Sequence, residues 1–405
     1  PNFNELLITE IMAKETPAIA LPAAEYIELF NPTSDILSLG GIRFSDNTGA
    51  ATFPAAVILP GEYVIVTSNS RAADFTSFGR VLGISNFPSL NNSGELLSLR
   101  RADGRLIFSV DYSENWYKND QKKAGGWSLE MVDVANPCAG ESNWSASEDV
   151  RGGTPGAANS VQAQNPDNVP PQLVRAQTLN PQEIYLMFDE KLDSAATVAG
   201  GSFILSPAVG VAGVSVASPE LNAVIVTLQN PLQPNQRYEV RVRGVQDCSG
   251  NSTVQEQVVQ LALPVPPQPG DVVINELLFN PRTGGSDFVE LVNRSNRFIS
   301  LKDWKLANSR TDSVSDIKTI TADAYVLSPG QYVVLTSNPE NIKVNYPQAR
   351  EETFLQLPSL PSYPDDAGVV LLLYPDNRIA DRFAYNQNMH HPLIDDENGV
   401  SLERI

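Results

Sequence analysis

Histidine, cysteine and basic charge are all scarce in this sequence, and each shortage removes a class of function. Two histidines in 405 residues leave little room for histidine-based catalysis or a multi-histidine metal centre. Two cysteines cannot build a disulfide scaffold or a structural zinc site. Lys and Arg number 28 against 47 Asp and Glu, a net charge of −19. The basic stripe that tracks phosphates is therefore missing, and no nucleic-acid partner is expected. The longest apolar runs, such as Gly368–Tyr374, are strand-length and fall short of the roughly 20 residues that cross a bilayer. No charged-then-apolar leader precedes Pro1, so the numbering starts at a mature terminus or at an internal boundary. The Gly-x-Ser-x-Gly nucleophile turn and the glycine patterns that cradle nucleotides are absent too.

What is present is enough apolar material for ordinary cores, 42 % of residues, with 26 Gly and 30 Pro for turns. That balance suits many short strands better than long helices. At about 100–200 residues per domain, the length predicts two to four domains.

A repeat organises most of the chain. Leu7-Ile8-Thr9-Glu10-Ile11-Met12 returns as Val273-Ile274-Asn275-Glu276-Leu277-Leu278. Glu25-Tyr26-Ile27-Glu28-Leu29-Phe30-Asn31 returns as Asp287-Phe288-Val289-Glu290-Leu291-Val292-Asn293. Leu59-Pro60-Gly61-Glu62-Tyr63 through Asn69 returns as Ser328-Pro329-Gly330-Gln331-Tyr332 through Asn338. Arg105, Tyr112 and Asn115 match Arg378, Tyr385 and Asn388, and Gly126-Trp127-Ser128-Leu129-Glu130 matches Gly399-Val400-Ser401-Leu402-Glu403. Five blocks in one order, at offsets from 262 to 273, are a duplication with small insertions. The blocks are rich in Val, Ile, Leu and Tyr and are punctuated by Pro-Gly and Asn, so they read as strands between tight turns. No window carries a capped amphipathic helix. The predicted fold class is all-β.

These blocks resemble the bacterial lamin-tail domain, over about residues 1–160 and 270–405. The carrying motifs are Ile8-Thr9-Glu10-Ile11, Tyr26-Ile27-Glu28-Leu29-Phe30-Asn31, Leu59-Pro60-Gly61-Glu62-Tyr63, Gly126-Trp127-Ser128-Leu129-Glu130 and the Trp304 strand, Leu301 to Leu306. The resemblance implies an immunoglobulin-like β-sandwich used as a non-catalytic module on secreted and cell-surface bacterial proteins, sometimes beside hydrolase domains. Between the copies, Asn165–Pro171 and Leu263–Gly270 are polar, proline-rich linkers. The segment they enclose alternates, with Tyr238, Val240 and Val242 on one face. Its Ile184–Asp193 and Val240–Asn251 stretches are similar to the Ig-like repeats of bacterial surface-layer proteins. Three tandem immunoglobulin-like β-sandwiches are expected, at residues 1–164, 165–263 and 270–405. Copy one continues through Trp144 to Gly153-Thr154-Pro155-Gly156, whereas copy two stops at Ile405, the equivalent of residue 132. The second lamin-tail-like unit is thus expected to be C-terminally incomplete, with an exposed sheet edge open to strand pairing.

Candidate site residues are few. Glu10 with Glu28, and Glu276 with Glu290, place two recurring carboxylates mid-strand in each copy. A general acid/base pair would need them to flank a cleft; their position in the sheet reads instead as structural carboxylates that accept hydrogen bonds. His390-His391 point to opposite faces on any strand. The nearby Asp395, Asp396 and Glu397 could form a calcium or transition-metal loop or a solvated turn, and no specific calcium spacing is present. No cofactor is expected. Tyr112, Trp116 and Tyr117 cluster in a polar stretch, readable as a sugar- or partner-stacking platform or as packing over a sandwich end. Cys138 and Cys248 lie in turns of different units. In the oxidising compartment that the resemblance implies, they are either two separate thiols or an interdomain disulfide.

The functional expectation is a non-catalytic binding or scaffold array, secreted or on the outer surface of a bacterium. It would meet a protein or glycan through adhesion, or serve as an accessory subunit of an outer-membrane complex. The alternative is the accessory region of a secreted nuclease or phosphoesterase whose catalytic domain lies outside this chain. A filament role lacks any heptad rod.

Overall fold

The computed structural model describes residues 1–46, 48–310 and 313–405. Strands dominate, and the α-helices are single turns or two-turn pieces at Asp120–Lys123, Ser194–Gly200 and Pro339–Asn345. Among the described residues no helix is long and apolar enough to cross a membrane.

The first sandwich faces a six-stranded sheet against a four-stranded one. The larger sheet runs in the order Trp144–Ala146, Leu129–Met131, Leu7–Met12, Tyr26–Phe30, Tyr63–Ser68, Val81–Ile84, with only the last pair parallel. Alternation sends Ile27, Leu29, Val64 and Val66 inward to meet Phe44, Leu97, Leu99 and Phe108 of the other sheet. The opposite side chains of the same strands, Met12, Tyr26 and Ile65, form a second apolar cluster on the outer face with Phe75.

The third sandwich repeats this plan with one strand fewer. Its larger sheet has the order Phe354–Gln356, Tyr332–Thr336, Phe288–Asn293, Val272–Leu278, Leu402–Glu403. Trp304, Leu306, Val370 and Leu372 of the facing sheet close the core. Leu402–Glu403 ends the sheet, and no described strand stands where Trp144–Ala146 stands in the first sandwich. The middle sandwich packs a four-stranded sheet on a three-stranded one. Its Tyr238, Val240 and Val242 point in and are buried, as period-two alternation requires.

The first junction is stapled. Cys138 and Cys248 form a disulfide with Cα atoms 6.1 Å apart. The Ser109 hydroxyl donates to the Pro219 carbonyl at 2.7 Å, and the Lys191 ammonium donates to the Ser109 carbonyl. Burial lowers the Lys191 pKa to about 8. The second junction is lighter. Phe298 N–H donates to Asn235 Oδ1 at 2.9 Å, and the Arg237 guanidinium lies over the Phe298 ring.

Candidate functional site

Strand register sets three glutamates side by side in each lamin-tail-like unit. Glu10 pairs across to Glu130 on one side and Glu28 on the other; Glu276 pairs in the same way to Glu403 and Glu290. Glu130 and Glu403 belong to the recurring Ser-Leu-Glu block, but nothing local in the sequence says which strands become their neighbours. Both copies also slip register by one residue at the same place, between Ile8 and Glu10 and between Ile274 and Glu276. The bulge gives the extra residue a role. Thr9 Oγ1 donates to Glu28 Oε1 at 3.0 Å, and Asn275 Nδ2 donates to Glu290 Oε1 at 2.8 Å. Ser128 and its counterpart Ser401 donate to Glu10 and Glu276.

The copies diverge in what covers the row. In the first, residues 147–162 cross it as a strap. Thr154 N–H donates to Glu10 at 2.9 Å and Gly156 N–H to Glu28 at 2.6 Å. Glu130 receives the Thr154 and Ser160 hydroxyls at 2.9 and 2.7 Å, and Val161 N–H at 3.2 Å. Asn159 Nδ2 ties the strap to the Thr9 and Met131 carbonyls. The Tyr26 hydroxyl adds a further donor to Glu10 at 2.7 Å. All three carboxylates are fully buried. Burial first, then the Glu130 charge, pushes Glu10 up to about 7; burial and the Glu10 charge push Glu28 well above the usual range. Glu10 Oε2 is buried without a donor, the natural place for the proton that desolvation favours.

In the second copy the same row lies open. Glu276 and Glu290 are half-buried and Glu403 is exposed. Glu276 and Glu290 border a groove of about 580 Å³ whose apolar wall is Phe288, Val334, Ile342, Tyr346 and Phe354. These are the counterparts of the covered outer cluster of copy one. Burial raises the pKa of both Glu276 and Glu290 more mildly. In each copy the glutamates are adjacent groups on neighbouring strands of one sheet.

The aromatic platform reading is corrected. Tyr112, Trp116 and Tyr117 are 3 %, 7 % and 5 % exposed, so no sugar ring can stack on them. Tyr112 follows Phe108 and Val110 on the inward face of its strand, and its hydroxyl donates to the Asn91 carbonyl. Trp116 packs on Trp144, and the Tyr117 hydroxyl donates to the Trp127 carbonyl at 3.0 Å. His390 stands at the equivalent of Tyr117, and its Nε2 faces the Val400 carbonyl at 2.9 Å. That contact reproduces the tyrosine's, so the histidine reads as framework.

The calcium-loop reading also moves. Asp396 accepts from Asn398 N–H and Nδ2, a closed polar turn, and Glu397 lies 3.6 Å from His390. Asp395, Asp396 and Glu397 do not converge. Among the described residues the carboxylates close enough to share a cation are Asp167, Glu190 and Asp247, within 4.8 Å of one another at the first junction. Burial, then the Asp167, Asp247 and Asp189 charges, raises Glu190 to about 8. Asp247 already accepts from Ser249 N–H, Asn251 N–H and Asn251 Nδ2. The trio was invisible in the sequence because its members are scattered over 80 positions.

Comparison with known proteins places these modules. The Lamin Tail Domain family matches residues 1–114 and 266–387, together more than half of the chain, and the bacterial Ig-like domain matches residues 157–261. The strap falls largely between the matched segments. Among solved structures, the N-terminal part of the bacterial S-layer protein SbsC is 15 % identical, with 41 % of this chain and 43 % of that one covered at a TM-score of 0.23. A DUF4876 family protein from Bacteroides thetaiotaomicron VPI-5482 is 13 % identical, with 39 % and 58 % covered at 0.20. The Yersinia pseudotuberculosis adhesin InvE is 11 % identical, with 53 % and 57 % covered at 0.16. The chain spans less than half of the S-layer fragment, and similarities this low carry no argument about function. No curated protein matches the chain.

Proposed function

Because the chain belongs to the Lamin Tail Domain family, with two such modules around a bacterial Ig-like domain, we propose that it is a non-catalytic binding array outside the bacterial cytoplasm. The disulfide between the first two modules supports an oxidising compartment. The observation that carries the binding role is the groove of about 580 Å³ on the third sandwich, walled by Phe288, Val334, Ile342, Tyr346 and Phe354 and bordered by Glu276 and Glu290. An apolar groove edged by carboxyls is a surface that can take a partner. The partner is a protein or glycan at the cell surface, reached by adhesion or within an outer-membrane assembly.

Two measurements test this. Protease shaving of intact cells should remove the protein, and retention behind the outer membrane would contradict a surface location. The purified chain should be blank against nuclease, phosphoesterase, esterase and glycosidase substrates. Turnover that disappears in Glu28→Gln or Glu290→Gln, with the fold intact, would defeat the non-catalytic reading.

A further inference from the structure

The middle and third sandwiches together build a crevice of about 270 Å³ at their junction. One wall is the strand Leu173–Asn180 of the middle module, beside Gln257–Ala262; the other is Phe298, Tyr325 and Ser328 of the third. Backbone bonds across the junction hold the walls together. Asn235 N–H donates to the Leu263 carbonyl at 2.9 Å, and Val265 N–H to the Phe298 carbonyl at 3.0 Å. Phe298 N–H in turn donates to Asn235 Oδ1.

A bulge aims polar groups into this space. Leu173 and Ala176 both pack on the middle core, although strict alternation would send residues three apart to opposite faces. The register slips between Leu173 and Arg175, and the slip turns Arg175 and Gln177 away from the core and into the crevice. There Arg175 Nε and Gln177 Oε1 are buried, and neither has a hydrogen-bond partner among the described residues. A donor and an acceptor buried unpaired are each costly, so the two need a ligand or solvent to complete them.

The surroundings select a ligand. Arg237 is the second cation on the lining, its guanidinium 5.6 Å from the centre of the Phe298 ring. None of the described residues that line the crevice is acidic, in a chain of net charge −19. Asp323, outside the lining, stands 3.8 Å from Arg175 with both side chains well exposed, a weak surface pair. Two guanidinium groups, one with an unpaired Nε–H, fit a carboxylate. Gln177 Oε1 needs a donor, which a bare anion does not carry, so the ligand combines a carboxylate with a hydroxyl. The half-buried Tyr325 offers an apolar ring face. The volume lies below the about 300–1,000 Å³ of drug-sized sites and suits a single ring.

We propose that the crevice binds one acidic sugar unit, a hexuronate whose carboxylate meets Arg175 and Arg237 and whose hydroxyl donates to Gln177 Oε1. The site is separate from the Glu276–Glu290 groove. Free uronate and the uronate end of a glycan share the chemistry it reads.

Saturation-transfer NMR on the whole 405-residue protein, titrated with glucuronate, should show one saturable site with a dissociation constant on the order of 1 mM. Glucose, which keeps the hydroxyls without the carboxylate, should bind at least about tenfold more weakly. Arg175→Gln should weaken glucuronate about tenfold. Gln177→Leu should weaken it similarly while the urea midpoint of the ligand-free protein stays or rises, because an unpaired buried acceptor is removed. A purely structural Gln177 would lose stability instead. Asp323→Asn should tighten binding about twofold by freeing Arg175 from a competing carboxylate. A glucuronyl-terminated disaccharide is titrated in parallel: both binding supports the site, and the tighter of the two identifies the source. Equal affinity for glucose, displacement by inorganic phosphate at lower concentration than by glucuronate, or no saturation up to about 20 mM would each overturn the proposal. So would affinity unchanged in both Arg175→Gln and Gln177→Leu. None of these results bears on the shaving or hydrolase measurements, so this site and the wider reading fail separately.

Discussion

Adding one methyl group at Gly153 is expected to weaken the first module without unseating its strap. The new Cβ would lie 2.5 Å from Glu10 Oε1, 2.7 Å from the Tyr26 hydroxyl and 2.9 Å from Leu21 Cδ1. Glu10 and Tyr26 are fully buried and bonded to each other, so neither can swing away. Two responses compete. Lifting the strap would forfeit the donors from Thr154, Gly156, Ser160 and Val161 to three buried carboxylates, at about 1 kcal/mol or more apiece. Local overpacking costs about 1–3 kcal/mol and is the cheaper response. The lost chain entropy of glycine in the unfolded state returns about 0.4–1 kcal/mol, leaving a net destabilisation of about 1.3 kcal/mol at the middle of the two ranges. Three of the four tryptophans, Trp116, Trp127 and Trp144, lie in this module. Urea unfolding followed by tryptophan fluorescence should therefore show an earlier first transition, by about 0.7 M at a slope of about 2 kcal/mol/M. A change below about 0.5 kcal/mol would refute the packing argument. So would an equal loss from Gly213→Ala, where a Cβ meets only Thr227 Cβ at 3.9 Å.

The Cys138→Ser/Cys248→Ser variant should lose about 4–5 kcal/mol on the chain-entropy account of a bridge spanning 110 residues. Reductant should bring the wild type to the same unfolding midpoint, and a wild type indifferent to reductant would contradict the role of the staple. The Glu10 carboxyl, raised from 4.5 to about 7, stays protonated in the fold after the unfolded chain has ionised. First-module stability should therefore fall as pH rises from about 4.5 to 7 and level off above, by about 3 kcal/mol at about 1.36 kcal/mol per pH unit. Urea midpoints across that window should be flatter in Glu10→Gln, and an unchanged slope would remove Glu10 as the source.

Local regularities made much of the fold readable before any coordinates. Period-two alternation is a property of neighbours in sequence, so Tyr238, Val240 and Val242 declare their face unaided. A duplication repeats its own punctuation, so the strands Leu7–Met12 and Val272–Leu278 identify each other. The same locality misled at Tyr112, Trp116 and Tyr117. Polar neighbours suggested a surface, while partners such as Trp144 and Asn91 buried the rings from elsewhere.

The residue types were therefore set by the sequence alone: which strands exist, that they recur, and that each copy carries glutamates at matching places. Tertiary structure decided what those glutamates do. The contacts that seal Glu10 and Glu28 reach across 118, 128 and 144 positions, a range at which no pattern in the chain specifies who meets whom. Strand register placed three carboxyls abreast in each copy, and in the first the strap of residues 147–162 made that row a buried framework. Burial and donor supply are properties of the assembled sheet, and they give the matching glutamates of the two copies different surroundings.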